Sequence, residues 1–290
     1  MNVRLKLDQQ RLAWFWDSLR KGEEVGISGR GRPSVANGNE DLRPAGLLYG
    51  LFYWNELFSP GFSGYFDFLE RISLPVLGAI VVMLTAAFLV VRKLSRRVRM
   101  ASVPVVIVTT GFAGMAFDLL VIFAFQAFYG YVYQQIGLLV TAFMAGISLG
   151  GLIMTRRVER IEKGKSLLLR LEGAIAACWL LFPIVLAILY AQVGRPGVSA
   201  AVGPILLALN ALAGFLVGME FPLASKMYRR VSVSETAGIL YASDLLGAFL
   251  GALLVSVMLV PALGVLETCL LVAVLKLGSL VLVATMPRNQ

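Results

Sequence analysis

Seven apolar stretches lie at about 74–91, 103–128, 136–154, 167–192, 200–224, 237–260 and 265–286. Each approaches or exceeds the roughly 20 helical residues that cross a hydrocarbon core. The polar loops between them alternate in charge. The loop 92–102 carries Arg92, Lys93, Arg96, Arg97 and Arg99, the loop 155–166 carries Arg156, Arg157, Arg160, Lys163 and Lys165, and the loop 225–236 carries Lys226, Arg229 and Arg230. The loops 129–135, 193–199 and 261–264 hold only Arg195 between them. Lys/Arg excess marks the cytoplasmic side of a membrane. The pattern therefore predicts an all-α, polytopic helical membrane protein of about seven transmembrane helices, with its C-terminus cytoplasmic.

Composition agrees. The chain is 58% hydrophobic and 15% charged, more apolar surface than a soluble domain of 290 residues can hide. Its net charge of +9 sits at the cytoplasmic helix ends, which points to topology and anionic lipid rather than nucleic acid. The chain has no histidine, so Ser-His and Cys-His catalytic pairs and His-ligated metals are excluded. Cys178 and Cys269 fall inside apolar segments, as packing residues do. No cofactor and no metal site is expected.

Three regions follow along the chain. Residues 1–43 are polar, with an amphipathic stretch from Leu5 to Leu19 and a Gly-rich linker, GISGRGRPSVANGN, at 26–39; no cleavable signal is expected there. Its glycines lack the preceding strand and following helix of a phosphate-binding loop. Residues 44–72 are aromatic and interrupted by Asn55, Glu56, Pro60 and Asp67, which reads as helices lying in the membrane interface. The rival reading makes 46–66 an eighth span. Residues 73–290 form the transmembrane domain.

Four stretches, NEDLRPAGLLYGLFYWNELF at 39–58, GFAGMAFDLLVIFAFQAFYGYVYQQIGLLVTAFMAGISLG at 111–150, GMEFPLA at 218–224 and LYASDLLGAFLGALL at 240–254, occur in one order. Together they resemble the membrane part of bacterial spermidine-synthase-like integral membrane proteins, the fused transporter/spermidine synthase family. The resemblance implies a bacterial inner membrane location. In that family the membrane segments are joined to a nucleotide-binding synthase half. No strand, glycine turn and acidic residue in sequence marks such a half here. The last six spans also resemble half of a major-facilitator transporter, with a Gly-rich second helix and a basic loop after it. That likeness implies that 103–128 and 200–224 line a central cavity.

Charges inside a membrane are costly and usually functional or paired. The candidate intramembrane polar site comprises Asp118, Gln126, Asn210, Glu220, Asp244 and Lys276. Span counting puts Asp118 and Lys276 at mid-membrane as an ion pair. It puts Glu172 and Glu267 at the interfaces. Pro222 is expected to end or kink its helix beside Glu220. The pairs Gly146/Gly150, Gly214/Gly218 and Gly247/Gly251 fit close helix packing.

The leading expectation is a non-catalytic integral membrane subunit that anchors or scaffolds a partner, either a soluble synthase-like protein or other membrane-complex subunits. The alternatives are a half-size transporter of polyamines or other cations, and the membrane subunit of an aminopropyltransferase-like enzyme. The expected partners are the lipid bilayer, a protein and possible further copies of the chain, with no nucleic acid.

Overall fold

The computed structural model describes residues 73–130, 133–192, 198–228 and 232–286. The polar segment 1–43 and the aromatic segment 44–72 lie outside the described residues. Within the described residues every regular element is helical: α1 Leu74–Leu94, α2 Arg96–Met100, α3 Ser102–Tyr129, α4 Tyr133–Val158, α5 Gly164–Ala191, α6 Val198–Met227, α7 Val233–Leu254 and α8 Val260–Ala284. A five-residue π-helical stretch, Val255–Leu259, leads from α7 into α8.

Six apolar helices are long enough to cross a membrane if 233–284 is taken as one. A straight helix of that length would run about 78 Å at 1.5 Å per residue, far beyond a hydrocarbon core of about 30 Å. The chain turns instead at Gly264, whose φ of 81° and ψ of 177° are open to glycine and closed to residues with a Cβ. Neighbour contacts give the two directions. Gly247 and Gly251 of α7 meet Val108 and Phe112 of α3 in the same order, so α7 runs parallel to α3. Ser279 and Lys276 of α8 meet Thr109 and Thr110 in the reverse order, so α8 runs antiparallel to it. The expected break at 261–264 is therefore real, and seven long helices alternate in direction.

The six helices after α1 fall into two sets of three. Gly214 and Gly218 of α6 press on Phe143 and Ile147 of α4, a parallel pair, as Gly247 and Gly251 of α7 press on α3. Helix α3 runs against α6, with Thr110 facing Glu220 and Asp118 facing Asn210. Helix α5 runs against α8, with Lys165 at Ala284 and Glu172 at Lys276. Exchanging α3 with α6, α4 with α7 and α5 with α8 maps the α4–α6 pair onto α7–α3, maps the α3–α6 and α5–α8 pairs onto themselves, and reverses every direction. The core has the pairing pattern of an inverted-topology repeat of three helices.

The expected glycine contacts are present. A Cβ added at Gly146, Gly150, Gly214, Gly218 or Gly247 would come within about 2.2 Å of a backbone oxygen on the facing helix. Helix α3 is the most enclosed, with Ala113, Ala116, Leu120, Val121 and Ala124 fully buried. Phe117 packs against Trp179 at 5.3 Å and Phe182 at 4.7 Å, joining α3 to α5. The basic residues that mark the loops also close helix ends. Lys226 donates to the carbonyls of Val158 at 2.7 Å and Ile161 at 3.0 Å. Arg92 donates to the carbonyls of Leu282 at 3.0 Å and Thr285 at 2.8 Å. Cationic donors satisfy the last orphan carbonyls of a helix and suit its negative end.

Of the end or kink expected at Pro222 in α6, the end is corrected. The helix does not end at Pro222; it continues through both Pro204 and Pro222 to Met227. Lipid-embedded helices tolerate proline because neighbouring groups take up the freed backbone atoms.

Candidate functional site: a buried polar chain beside a cavity

Four helices meet about two turns in from the basic loops and bring their polar side chains together. Lys276 of α8 is wholly buried and forms an ion pair with Glu172 of α5 at 2.8 Å. Its ammonium also donates to the Thr110 hydroxyl of α3 at 3.0 Å. Thr110 in turn donates to Glu220 Oε2 of α6 at 2.5 Å. On the other side Ser279 donates to Glu172 Oε1 at 3.1 Å, and Thr109 Oγ1 lies 3.0 Å from Ser279 Oγ. The result is a continuous chain from Glu220 through Thr110, Lys276, Glu172 and Ser279 to Thr109.

Two sequence expectations are overturned. Glu172 is not interfacial: α5 begins at Gly164, which carries the residue about 12 Å into the helix at 1.5 Å per residue, to 0% exposure. Lys276 does not pair with Asp118. Register decides this, because α8 meets α3 with Lys276 beside Thr110, about 12 Å along the helix from Asp118. Asp118 is buried and satisfied differently, by Asn210 Nδ2 at 2.7 Å. The same amide donates to the carbonyl of Leu139 at 3.0 Å, so one asparagine ties α6 to α3 and α4.

The remaining candidates separate. Gln126 lies at the far end of α3, half-buried, two turns beyond Asp118 and outside the chain. Asp244 of α7 lies against Gly111, where an added Cβ would stand 2.8 Å from its Oδ1. Asp244 is half-buried and lines a cavity of about 300 Å³. Ile107 and Thr110 of α3, Ile147 and Gly151 of α4, Val217, Gly218, Phe221 and Pro222 of α6, and Tyr241 of α7 complete its wall. Four helices, α3, α4, α6 and α7, thus line it.

Charge does not balance if both glutamates of the chain are ionised. Lys276 compensates Glu172 directly, whereas Glu220 is wholly buried and its Oε1 has no hydrogen-bond partner among the described residues. An uncompensated charge in an apolar interior is expensive, and the chain holds two carboxyl groups for one ammonium. Thr110 places Glu220 one hydrogen bond behind the cavity wall. Sequence reading missed Thr110, Thr109 and Ser279 because it weighed charges alone; paired hydroxyls at Thr109-Thr110 in an otherwise apolar helix were the available signal. Among the described residues no three His, Cys, Asp or Glu side chains converge to hold a metal ion.

Comparison of the chain with protein-family models, with curated proteins and with solved structures finds no match. The structure itself defines the class: a multi-pass helical membrane protein.

Proposed function

We propose that this chain is a half-size membrane transporter for a cationic substrate, pairing with a second copy of itself to complete the path. The observation that carries this reading is the inverted pairing of α3–α5 with α6–α8. Inverted repeats are a common architecture of secondary transporters, where substrate sites sit at the repeat interface and rocking of one repeat against the other alternates access. The cavity lies at that interface, between α3 and α4 of one repeat and α6 and α7 of the other. Fold-level analogy supplies the prior and the acid-lined cavity supplies the site. A scaffold, the leading expectation from sequence, has no use for a carboxylate facing an open cavity inside the bundle.

The test is flux. Purified protein in liposomes is expected to move labelled organic cations down a gradient, with Asp244→Asn reducing initial rates at least tenfold. Wild-type flux no greater than that of empty liposomes, with a stably co-purified soluble protein, returns the chain to the anchoring reading.

The cytoplasmic placement of the C-terminus and of the basic loops, in a bacterial inner membrane, belongs to the same proposal and rests on the Lys/Arg distribution. With Cys178 and Cys269 replaced by Ala, a membrane-impermeant thiol reagent applied from outside is expected to label Gln135→Cys and to miss Ser232→Cys. The opposite pattern inverts the arrangement.

A further inference from the structure

We infer that the cavity at Asp244 binds a primary alkylammonium ion, its head at Asp244 and its carbon chain along the apolar wall. The inference deepens the transport reading by naming a ligand class, and the binding it describes stands or falls independently of flux.

Three features of the cavity select that class. The first is charge. Asp244 faces the cavity and has no ion-pair or hydrogen-bond partner among the described residues, and Glu220 waits behind Thr110 with Oε1 unpartnered. Both acids favour a cation, and the cations Arg92, Lys226 and Lys165 are committed to helix ends. The second is the wall. Ile107, Ile147, Val217, Phe221 and Pro222 offer hydrocarbon, and Gly151 and Gly218 leave room beside it. An inorganic cation needs a shell of several oxygens, as hard cations do. Among the described residues, oxygen side chains at the cavity come from Asp244, Tyr241 and Thr110, and the Thr110 hydroxyl is already engaged by Lys276 and Glu220. An ammonium head needs only three acceptors, and Tyr241 and Phe221 add aromatic faces of the kind that attract cations. The third is size. A volume of about 300 Å³ stands at the lower end of small-molecule pockets and suits a short-chain amine.

Glu220 then has a defined part. Thr110 shares the cavity wall with Asp244 and is hydrogen-bonded to both Glu220 and Lys276, so it joins the cavity to the buried chain.

The test is ligand-dependent stability of the whole chain in mild detergent, with butylammonium chloride as probe and sodium chloride and tetramethylammonium chloride at equal concentration as comparisons. Saturable stabilisation by butylammonium of about 5 °C or more is expected at a hundredfold excess over its Kd, following from mass action on the folded state. Sodium and tetramethylammonium are expected to give no saturable shift. Asp244→Asn should weaken the apparent affinity at least tenfold and Asp244→Glu should retain it. Gly151→Leu, whose added Cβ meets only the Gly218 carbonyl at 3.5 Å, should abolish binding by filling the cavity while keeping every charge. It also serves if Asp244→Asn proves poorly folded. Equal stabilisation by sodium, no saturable shift with butylammonium, or unchanged affinity in both Asp244→Asn and Gly151→Leu overturns the inference. Binding without flux in liposomes would sink the transport reading and leave this site standing.

Discussion

Lys276→Met is expected to remove most of the folded protein, and Glu172→Gln introduced alongside it is expected to bring a large part back. The lysine is wholly buried and is the direct counter-charge of Glu172. Removing one member of a buried pair strands the other, at about 3–5 kcal/mol. Replacing both by neutral groups of similar volume is often nearly neutral, because the desolvation of two ions disappears with their attraction. Thr110 complicates the arithmetic in a useful way. It accepts from Lys276 and donates to Glu220, so losing the ammonium also loosens the second acid. The double variant therefore recovers incompletely, and adding Glu220→Gln should recover more. Folded yield after detergent extraction and resistance to thermal unfolding give the measure. Asp118→Asn combined with Lys276→Met is the contrast: the two lie in different hydrogen-bonded groups, and their losses should add. Rescue of Lys276→Met by Asp118→Asn instead of Glu172→Gln would mean that the register described for α8 is wrong.

The span pattern was legible because lipid imposes it. A segment that crosses must satisfy its own backbone and present apolar side chains over a fixed length, so position along the chain nearly determines depth. The break at 261–264 was legible for the same reason, since a chain of that apolar length has to turn, whereas the particular residue that turns it, Gly264, was not. Glycine contacts could be read because spacing of four puts Gly214 and Gly218, or Gly247 and Gly251, on one helix face. Depth alone did not determine partnership. Asp118 and Lys276 share a nominal mid-membrane level, yet Asp118 lies 16 residues from Ser102 at the start of α3 and Lys276 only 8 residues from Ala284 at the end of α8, a difference of about two turns. Glu172 failed for a related reason: its helix begins earlier than the apolar run, which turns an apparent interface residue into a buried one. The hydroxyls of Thr110 and Ser279 carry no charge signal and earn their roles only through the neighbours that packing brings to them. The cavity was invisible for the same cause, being a property of four helices together.

The second large effect is expected at the crossing of α4 and α6, where Gly150→Val should abolish assembly. An added Cβ at Gly150 would stand 2.1 Å from the backbone oxygen of Phe215 and 2.9 Å from its carbonyl carbon. Backbone cannot swing aside as a long side chain does, so the helices must separate by more than 1 Å along much of their length. Gly146, Gly214 and Gly218 share that seam, each with a backbone oxygen at 2.2 Å from the added atom, so the strain cannot be relieved by sliding. In lipid there is little hydrophobic drive to hold helices together, and close packing of small residues supplies much of the association. Overpacking a well-filled interior costs about 1–3 kcal/mol and occasionally more, and a backbone clash belongs at the upper end. The damage should spread to Asp118, because Asn210 holds it from the same face of α6 and reaches Leu139 of α4 only at the present separation. Gly78→Val is the control: nothing lies within 4 Å of an added Cβ there, and expression should be unchanged. The comparison is read as monodisperse yield by size-exclusion chromatography. If Gly150→Val behaved like Gly78→Val, the tight parallel packing of α4 on α6, and with it the inverted repeat, would have to be given up.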